Sequence, residues 1–420
     1  MASRSNIVGT LLRKSGLRVL LGSLAPSSVG GRVLGSHQQC RPQSTHVDWQ
    51  QAVSTAEKLV GYPTSYLTLR SLLSDEMSNV ATHLRKLMAT SHPLMDTAKQ
   101  MVYEGPQSLQ TRGLLVLLVS KAAATTDTTL LPQDTTAGVL HSQRSLAEIT
   151  EMIHTAQLIH KGVVNLHYDG SELTGKGVAV AASNPDYEFG NKIAILCGDY
   201  LLANACKSLA ALQNSQVVEL VSSAIADFTE AEFLGLRDEF GRPVLSQDFT
   251  LDNWREKTFL SVGSLLAKAS KSALLLAGHR DSGRLELAFA FGRQVALAWQ
   301  GQQELLPFVA GDASSNAAIG AMAHKIDVTS LPVVLHIEHM MQRGGIQDLF
   351  DKVTEGRNAG EDLDQLLLQE VIAGGAGVPE GLQVVEEHCQ EALRLLQVFP
   401  ASEARAALAN IIHALQSNNN

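Results

Sequence analysis

Aromatic residues are scarce in this chain: they make up 5% of its 420 residues, although 45% of the residues are hydrophobic. Leu and Ala supply much of the apolar content. β-Sandwiches concentrate aromatic and β-branched side chains in their strands, whereas Leu and Ala favour helices. The composition therefore predicts a large core of packed helices. No period-two alternation is long enough to predict a sheet.

Several sequence signatures of chemistry are also missing. The four cysteines (Cys40, Cys197, Cys206 and Cys389) form no C-x-x-C pair, which argues against a disulfide framework or a zinc site. No P-loop and no G-x-S-x-G elbow occurs, so nucleotide binding and serine hydrolysis have no support. The chain also lacks an uninterrupted apolar run of about 18 residues, and we therefore predict no transmembrane segment.

The N-terminus has no acidic residue before Asp48. It is rich in Ser and Gly, a composition typical of mitochondrial transit peptides. A secretory signal with residues 19–25 as its apolar core is the rival interpretation, but that run is short and further arginines follow it. We therefore predict a transit peptide at residues 1–46 and a location in the mitochondrial matrix. The six cations of this segment are Arg4, Arg13, Lys14, Arg18, Arg32 and Arg41.

The rest of the chain is acidic. Removing six cations from the total of 33 leaves 27 Lys and Arg against 42 Asp and Glu. Proteins that bind nucleic acid present a basic face to the phosphates. The charge balance therefore argues against a nucleic-acid partner.

Apolar residues recur at spacings of three and four from about residue 49 to residue 415, which predicts a succession of helices. Ser145 and Glu148 have the spacing of a capping box, so we expect a helix to begin there. Because no linker separates two cores, residues 47–420 are expected to form one large all-α domain. Further helices are predicted over 67–88, 114–124, 192–213, 217–228, 254–277, 285–300 and 382–399, with a last one from Ser402. Loops are predicted over 125–138, 169–186, 237–248 and 307–315.

Two histidine patterns have a spacing that metal sites use. Glu151 and His154 have the spacing of one half of a di-iron site, but the chain has no second Glu-x-x-His. His336 and His339 flank Glu338 and provide only two imidazole ligands. One half of a motif cannot fill a coordination shell, so we expect structural roles for these residues and no metal site.

Six segments follow one another in a characteristic order. They are Gln110–Leu118, Glu151–His160, Gly190–Ala205, Lys257-Thr258, Phe291–Gln300 and Thr329–Pro332. Together they resemble motifs of the trans-polyprenyl diphosphate synthases, over about residues 49–415. The resemblance implies an isoprenoid-synthase-type helical bundle. It also implies chemistry that joins an allylic diphosphate to isopentenyl diphosphate, with Mg²⁺ held by two aspartate-rich motifs.

This chain differs from the family at positions where the family has charged residues. In the family the first motif is His-Asp-Asp-x-x-Asp and the second is Asp-Asp-x-x-Asp. The corresponding positions here are Lys161, Gly162 and Asn165 in the first motif and Gln303, Glu304 and Pro307 in the second. The early basic motif keeps one cation, Arg112. Without both acidic motifs and most of the phosphate-binding cations, the chain has no means of stabilising a leaving diphosphate.

Other family positions are retained. They are Arg112, Glu151, His154, His160, Asp199, Lys257, Thr258 and Gln300. We interpret most of them as packing residues, and we expect Asp199 and Lys257 to be paired polar groups in the core of the bundle.

The pattern resembles the non-catalytic subunits of heteromeric members of this family. It implies a partner, a catalytic polyprenyl diphosphate synthase subunit that carries the Mg²⁺, in a heterotetramer of the decaprenyl type. Such a complex makes the isoprenoid side chain of ubiquinone, and no cofactor is expected on this chain itself. Two alternatives stay open: a weakly active synthase that uses Glu304, and a prenyl-lipid-binding protein.

Overall fold

The computed structural model describes residues 48–61, 111–124, 135–163, 185–235, 244–309, 326–347, 349 and 365–417. Within these residues nearly all of the regular structure is helical, as predicted. The transit peptide predicted at residues 1–46 and the helix predicted over 67–88 lie outside the described residues, so both stay predictions.

The helices of the first half are α1 (Trp49–Val60), α2 (Thr111–Ala123), α3 (His141–Lys161), α4 (Pro185–Ala211) and α5 (Ser215–Ala231). Among the helices of the first half, α3 packs mainly against α2 and α4. A minimal antiparallel pair, β1 (Thr135–Thr136) and β2 (Val139–Leu140), precedes α3.

The second half supplies the longest helix of the described core. Its helices are α6 (Leu251–Thr258), α7 (Ser264–Leu276), α8 (Ser282–Val309), α9 (Leu331–Arg343), α10 (Gln365–Ala373), α11 (Gly377–Leu395) and α12 (Glu403–Ser417). A π-helical turn (Phe259–Gly263) joins α6 to α7, and a 3₁₀ turn (Leu396–Val398) follows α11.

One hydrophobic core runs from Trp49 to Leu415 and joins both halves. The α8 helix packs against α7 on one side and α11 on the other. At the crossing with α7, a Cβ on Gly292 would lie 2.8 Å from the Cα of Ala267, so only glycine allows this approach. Phe291 and Phe399 meet edge to face nearby, with ring centroids 6.1 Å apart. The single large all-α domain is therefore confirmed.

The start of α3 differs from the prediction. The helix begins at His141, four residues before the expected cap at Ser145. The side-chain oxygen of Gln143 accepts a hydrogen bond from the backbone N–H of Leu140 at 3.1 Å, and its amide donates to the carbonyl of Ala273 at 2.9 Å. A long-range contact with α7 thus fixes this terminus, and the local capping pattern at Ser145 does not.

The structure differs from the prediction at three further places. The strands at 135–140 are too short to show alternation, and Ala137 and Gly138 both have positive φ at their turn, as two-residue hairpins require. Pro307, predicted to begin a loop, lies in the last turn of α8. The α9 helix was not predicted, although Pro332 in its first turn and Gly344 with φ of 81° at its end are ordinary helix signals.

The α4 helix is apolar, but much of it is left uncovered. Two helical stretches, Glu188–Ala211 and Leu251–Leu276, are long and apolar enough to cross a membrane by length and composition alone, a test that core helices also pass. The second stretch is 61% buried, whereas the first is 39% buried. Ile195 and Leu196 of α4 are 46% and 54% exposed. The absence of a transmembrane segment therefore stays a prediction.

Candidate functional site

A cavity of about 660 Å³ lies where the two degenerate motifs meet. The first motif contributes Lys161 at the end of α3, and the second contributes Glu304 on α8; the retained Gln300 lies one turn before it on the same wall. Helix packing thus brings together two sequence motifs that lie about 140 residues apart. The other polar residues of the wall are Glu232, Lys257, Thr258, Ser261, Asp327 and Thr329.

Glu304, the acid that remains in the second motif, is held by protein donors. Its Oε2 accepts hydrogen bonds from the indole Nε1–H of Trp254 at 2.9 Å and from the backbone N–H of Leu331 at 2.8 Å. Its Oε1 accepts from Nε2 of Gln300 at 2.9 Å. Burial raises the pKa of Glu304, and the three hydrogen bonds oppose that rise. The carboxylate therefore joins α6, α8 and the start of α9.

Lys257 forms an ion pair at the cavity wall, but with a partner other than the one expected. Its Nζ lies 3.4 Å from Oδ2 of Asp327 and donates to the hydroxyl of Thr329. Asp327 also accepts from the backbone N–H and the hydroxyl of Thr329, at 2.9 and 2.7 Å. Burial alone would raise the pKa of Asp327, but Lys257 and the Thr329 hydrogen bonds lower it overall.

Asp327 was missed by the sequence analysis because it lies just before the Thr-Ser-Leu-Pro segment and matches no motif quoted for the family. The expected pairing of Asp199 with Lys257 in the core is wrong. Asp199 lies on α4 with its side chain 63% exposed, 3.5 Å from Nε2 of His160. His160 also approaches the carbonyl of Ile195 at 3.3 Å, so this pair joins the ends of α3 and α4.

Lys161 and Glu232 stand between two cavities. Both line the 660 Å³ cavity and a second, more apolar cavity of about 460 Å³ between α3, α4 and α5. Lys161 is exposed at the end of α3, although the protein atoms around it lower its pKa; Glu232 and Asp327 act to raise that pKa, and Arg112 and Lys257 act to lower it further. The first-motif position is therefore occupied by a cation among other charged groups.

Three further motif positions that the structure describes, Gly162, Gln303 and Pro307, do not line the cavity. Gly162 is buried and ends α3. Gln303 and Pro307 are exposed on α8, and the carbonyl of Pro307 accepts a hydrogen bond from Gln369 at 3.1 Å. Asn165 lies outside the described residues, so its place is untested.

Arg112, the cation that remains in the basic motif, points into the protein. Its Nη1 donates to Nε2 of His154 at 2.7 Å, and Oε1 of Glu151 accepts from the backbone N–H of Gly113 at 2.6 Å. All three side chains are at least nine-tenths buried. Burial lowers the pKa of Arg112 to about 10 and raises that of Glu151 to about 7, while burial and Arg112 keep His154 neutral by lowering its pKa. This cluster anchors the start of α2 to α3.

The three residues of the α9 pattern, His336, Glu338 and His339, do not share a common contact. His336 is buried, and within the part of the chain that the structure describes neither of its ring nitrogens has a hydrogen-bond partner. His339 contacts Glu380 of α11 at 2.8 Å, and Glu338 accepts from the backbone N–H of Leu251 at 2.9 Å. These contacts agree with structural roles for the three residues.

The described residues of the cavity wall do not fit a magnesium site. Both oxygens of Glu304 accept from protein donors, and Asp327 is held by Lys257 and Thr329. Among the described residues, no group of three or more His, Cys, Asp or Glu is placed to hold a metal ion. Mg²⁺ favours carboxylates with free oxygens and several waters, and two lysines on the same wall oppose a divalent cation.

The chain is similar to known prenyl-chain synthases over most of its length. A family profile described as "Polyprenyl synthetase" matches residues 94–366. The all trans-polyprenyl-diphosphate synthase PDSS2 of Rattus norvegicus is 42% identical over 378 residues, and that of Homo sapiens 41% over 377, each covering 89% of both chains. A probable mitochondrial hexaprenyl pyrophosphate synthase of Yarrowia lipolytica is 27% identical over 96% of this chain and 97% of its own.

Solved structures confirm the fold class. A polyprenyl synthase from Caulobacter crescentus, complexed with calcium and isoprenyl diphosphate, superposes with a TM-score of 0.61 at 21% identity, covering 89% of this chain and 98% of that chain. A heptaprenyl diphosphate synthase from Staphylococcus aureus gives 0.59 at 16% identity, covering 90% and 100%. At such identities the likeness establishes the fold, which is the isoprenoid-synthase helical bundle.

Proposed function

This chain belongs to the polyprenyl synthetase family, and from that premise we propose that it is a non-catalytic subunit of a heteromeric trans-polyprenyl diphosphate synthase. The cavity in which both motifs meet carries the proposal. Glu304 on its wall accepts hydrogen bonds from protein donors, Asp327 pairs with Lys257, and Lys161 stands where the family has its first aspartate. Ionisation of an allylic diphosphate needs positive charge held against the leaving group. The only cation kept from the early basic motif, Arg112, is buried against His154.

We propose that the Mg²⁺ and the chemistry reside in the partner, a family member that carries both aspartate-rich motifs. This chain would then bind no metal of its own. Its contribution would be structural, because it keeps the family fold and a core that joins its N-terminal and C-terminal helices.

The exposed apolar face of α4 supports a protein partner. Ile195 and Leu196 are about half exposed, although α4 is apolar enough to resemble a core helix. Single exposed apolar residues are common, but an apolar helix left mostly uncovered is typical of an interface. Subunits of one fold often associate through corresponding faces, so we propose that α4 packs against the catalytic homologue in a heterotetramer.

Two relatives are described as probable mitochondrial hexaprenyl pyrophosphate synthases, and the N-terminal composition of this chain also suggests mitochondria. We propose that the complex acts in the mitochondrial matrix and supplies a long, decaprenyl-type side chain for ubiquinone. The basic, acid-free segment at residues 1–46 supports mitochondrial import.

An activity assay tests the absence of catalysis. The purified chain, given Mg²⁺, farnesyl diphosphate and isopentenyl diphosphate, is expected to form no elongated product. The same assay after co-expression with a catalytic homologue is expected to yield long-chain product from a co-purified complex. Turnover by the chain alone would instead support the weakly active synthase.

An interface variant tests the partner. Leu196→Glu places a charge on the exposed face of α4 and is expected to abolish co-purification, because an unpaired charge is costly in a buried interface. Met341→Glu on α9 is the matched control, since Met341 is 45% exposed and distant in sequence from α4. Circular dichroism checks that both variants fold. A complex that survives Leu196→Glu would refute α4 as the interface.

The 460 Å³ cavity favours a second candidate, a prenyl-lipid-binding protein. Apolar side chains of three helices line it, among them Ile153, Leu202, Ile225 and Phe228. Binding of a radiolabelled polyprenyl alcohol by the isolated chain, without formation of any complex with a catalytic homologue, would favour this function over that of a subunit.

A further inference from the structure

A buried histidine on α9 has both ring nitrogens unpaired. His336 is 5% exposed, and no donor or acceptor among the described residues bonds to its Nδ1 or Nε2. A neutral imidazole carries one N–H, and a buried donor without a partner lowers the stability of the fold. An apolar side chain would avoid this cost. What the imidazole can do, and an apolar side chain cannot, is bind a proton near neutral pH.

The turn between α10 and α11 is shaped around this ring. Its sequence is Gly374-Gly375-Ala376-Gly377. A Cβ on Gly375 would overlap the imidazole of His336, and a Cβ on Gly377 would overlap the carbonyl oxygen of Pro332, one turn earlier on α9. Only glycine therefore allows the turn to lie so close to α9, with the ring of His336 filling the contact.

The surroundings of His336 disfavour a positive charge on the ring. The N-terminus of α11, the positive end of its helix dipole, lies beside the imidazole, because α11 begins at Gly377. Glu380 in the first turn of α11 is already in contact with Nδ1 of His339, at 2.8 Å. Burial and His339 lower the pKa of His336, and Glu380 acts to raise it. The imidazole is therefore neutral while the turn is in place.

The other acids on α9, or on the helices that pack against it, have partners of their own or lie in solvent. Glu338 accepts from the backbone N–H of Leu251, and Glu304 of α8 is held by three donors. Glu370 of α10 is exposed. On α6, Glu256 is exposed and the remaining charges form pairs, Arg255 with Asp252 and Lys257 with Asp327. In the described part of the chain, no acid thus contacts the ring of His336.

We propose that His336 is a pH-sensitive latch, which holds the α10–α11 turn against α9 while its imidazole is neutral. Proton binding places a charge and two unpaired N–H donors inside the contact, so the turn must move away to let water reach the ring. Opening also loosens α9, whose first backbone N–H, that of Leu331, is bound to Glu304 on the cavity wall. This role holds whether the chain is a subunit or a lipid-binding protein.

The sign of the pH dependence follows from this arrangement. The folded chain binds the proton of His336 less tightly than the unfolded chain does, because burial lowers the pKa. The free energy of unfolding that the neutral ring contributes is therefore present above the unfolded pKa of about 6.5, and it is lost as the pH falls below that value.

Thermal unfolding of the full chain at pH 5 and pH 8 tests the latch. His336→Met fills the contact with an apolar side chain that binds no proton. Between pH 8 and pH 5 the Tm of the wild-type chain should fall by about 2–5 °C more than that of His336→Met. The other buried histidines contribute equally to both proteins. His413→Met, at an exposed histidine of α12, is the matched control and should keep the wild-type pH dependence.

Amide exchange shows where the chain opens. After correction for intrinsic exchange rates, protection of residues 374–378 in the wild-type chain should fall at least about 10-fold from pH 8 to pH 5, and should change less than about two-fold in His336→Met. The NMR signal of the His336 ring should report protonation only together with this loss. The two measurements on the wild-type chain stand whether or not the variant folds. Equal pH dependence of wild type and His336→Met, or a His336 ring that titrates near pH 6.5 while the turn stays protected, would overturn the proposal.

Discussion

Replacing Glu304 tests whether the last acid of the second motif is structural. Glu304→Ala removes the acceptor for Trp254, Gln300 and the backbone of Leu331. Hydrogen bonds to a charged group contribute about 1.5–3 kcal/mol each, and a buried donor left without a partner costs about 1–3 kcal/mol. Three such bonds share one carboxylate and are not additive, so we expect a loss of about 3–6 kcal/mol.

Glu304→Gln provides the sharper comparison. The amide keeps one carbonyl oxygen, which can accept from both Trp254 and Leu331 as Oε2 does now. Its NH₂ would face Gln300, whose own side-chain amide can rotate to present oxygen. The expected cost is therefore only about 1 kcal/mol, and Glu304→Gln should be far more stable than Glu304→Ala.

The pH dependence gives an independent check. Because burial raises the pKa of Glu304, the folded chain binds this proton more tightly than the unfolded chain does. The free energy of unfolding that this proton contributes is therefore present at low pH, and it is lost as the pH rises through the pKa that Glu304 has in the folded chain. Glu304→Gln should remove this dependence.

Thermal and urea unfolding without metal, at several pH values, measure the loss in Glu304→Ala, the smaller loss in Glu304→Gln and the pH dependence. If Glu304 were instead a ligand waiting for Mg²⁺, its removal would leave the metal-free stability almost unchanged. A Glu304→Ala variant within about 1 kcal/mol of the wild-type chain would therefore refute the structural role.

Two further predictions concern the interior of the bundle. Burial raises the pKa of Glu151 from 4.5 to about 7, so the contribution of Glu151 to the free energy of unfolding should fall by on the order of 3 kcal/mol as the pH rises between these values. Tm measured at pH 5 and pH 8 should show this fall in the wild-type chain and not in Glu151→Gln. An equal change of Tm with pH in both proteins would contradict the prediction. Gly292→Ala should cost about 1–3 kcal/mol, because its Cβ would lie 2.8 Å from backbone atoms of both Leu266 and Ala267. Gly283→Ala, whose nearest neighbour would be 3.7 Å away, is the control and should change unfolding by less than about 0.5 kcal/mol.

Most helices could be predicted from the sequence because their apolar period is a local property. Predicted spans such as 285–300 and 217–228 fall within α8 (Ser282–Val309) and α5 (Ser215–Ala231). Their ends were less predictable. At the start of α3, Gln143 accepts a hydrogen bond from the backbone N–H of Leu140 and donates one to the carbonyl of Ala273, a residue 130 positions away, and no local pattern reveals the second contact.

The sequence predicted which acidic residues the candidate site has lost, but it did not predict which of the remaining charged residues contact one another. The motif comparison identified Lys161 and Glu304 as positions of lost acids, and the structure places both on the wall of one cavity. It assigned no role to Asp327 or Glu232, because neither belongs to a recognised motif. It also paired Asp199 with Lys257, whereas Asp199 contacts His160 and Lys257 contacts Asp327.

The sequence by itself determined the all-α class, the family and the loss of acids at both motifs, since composition, periodicity and residue identity are all written along the chain. Only the tertiary structure decided what each remaining charge does. Glu304 binds a helix start 27 residues away, and Arg112 points toward His154, 42 residues away. A buried charge is stable only beside an opposite charge or hydrogen-bonding groups. In this fold those groups come from parts of the chain that are distant in sequence.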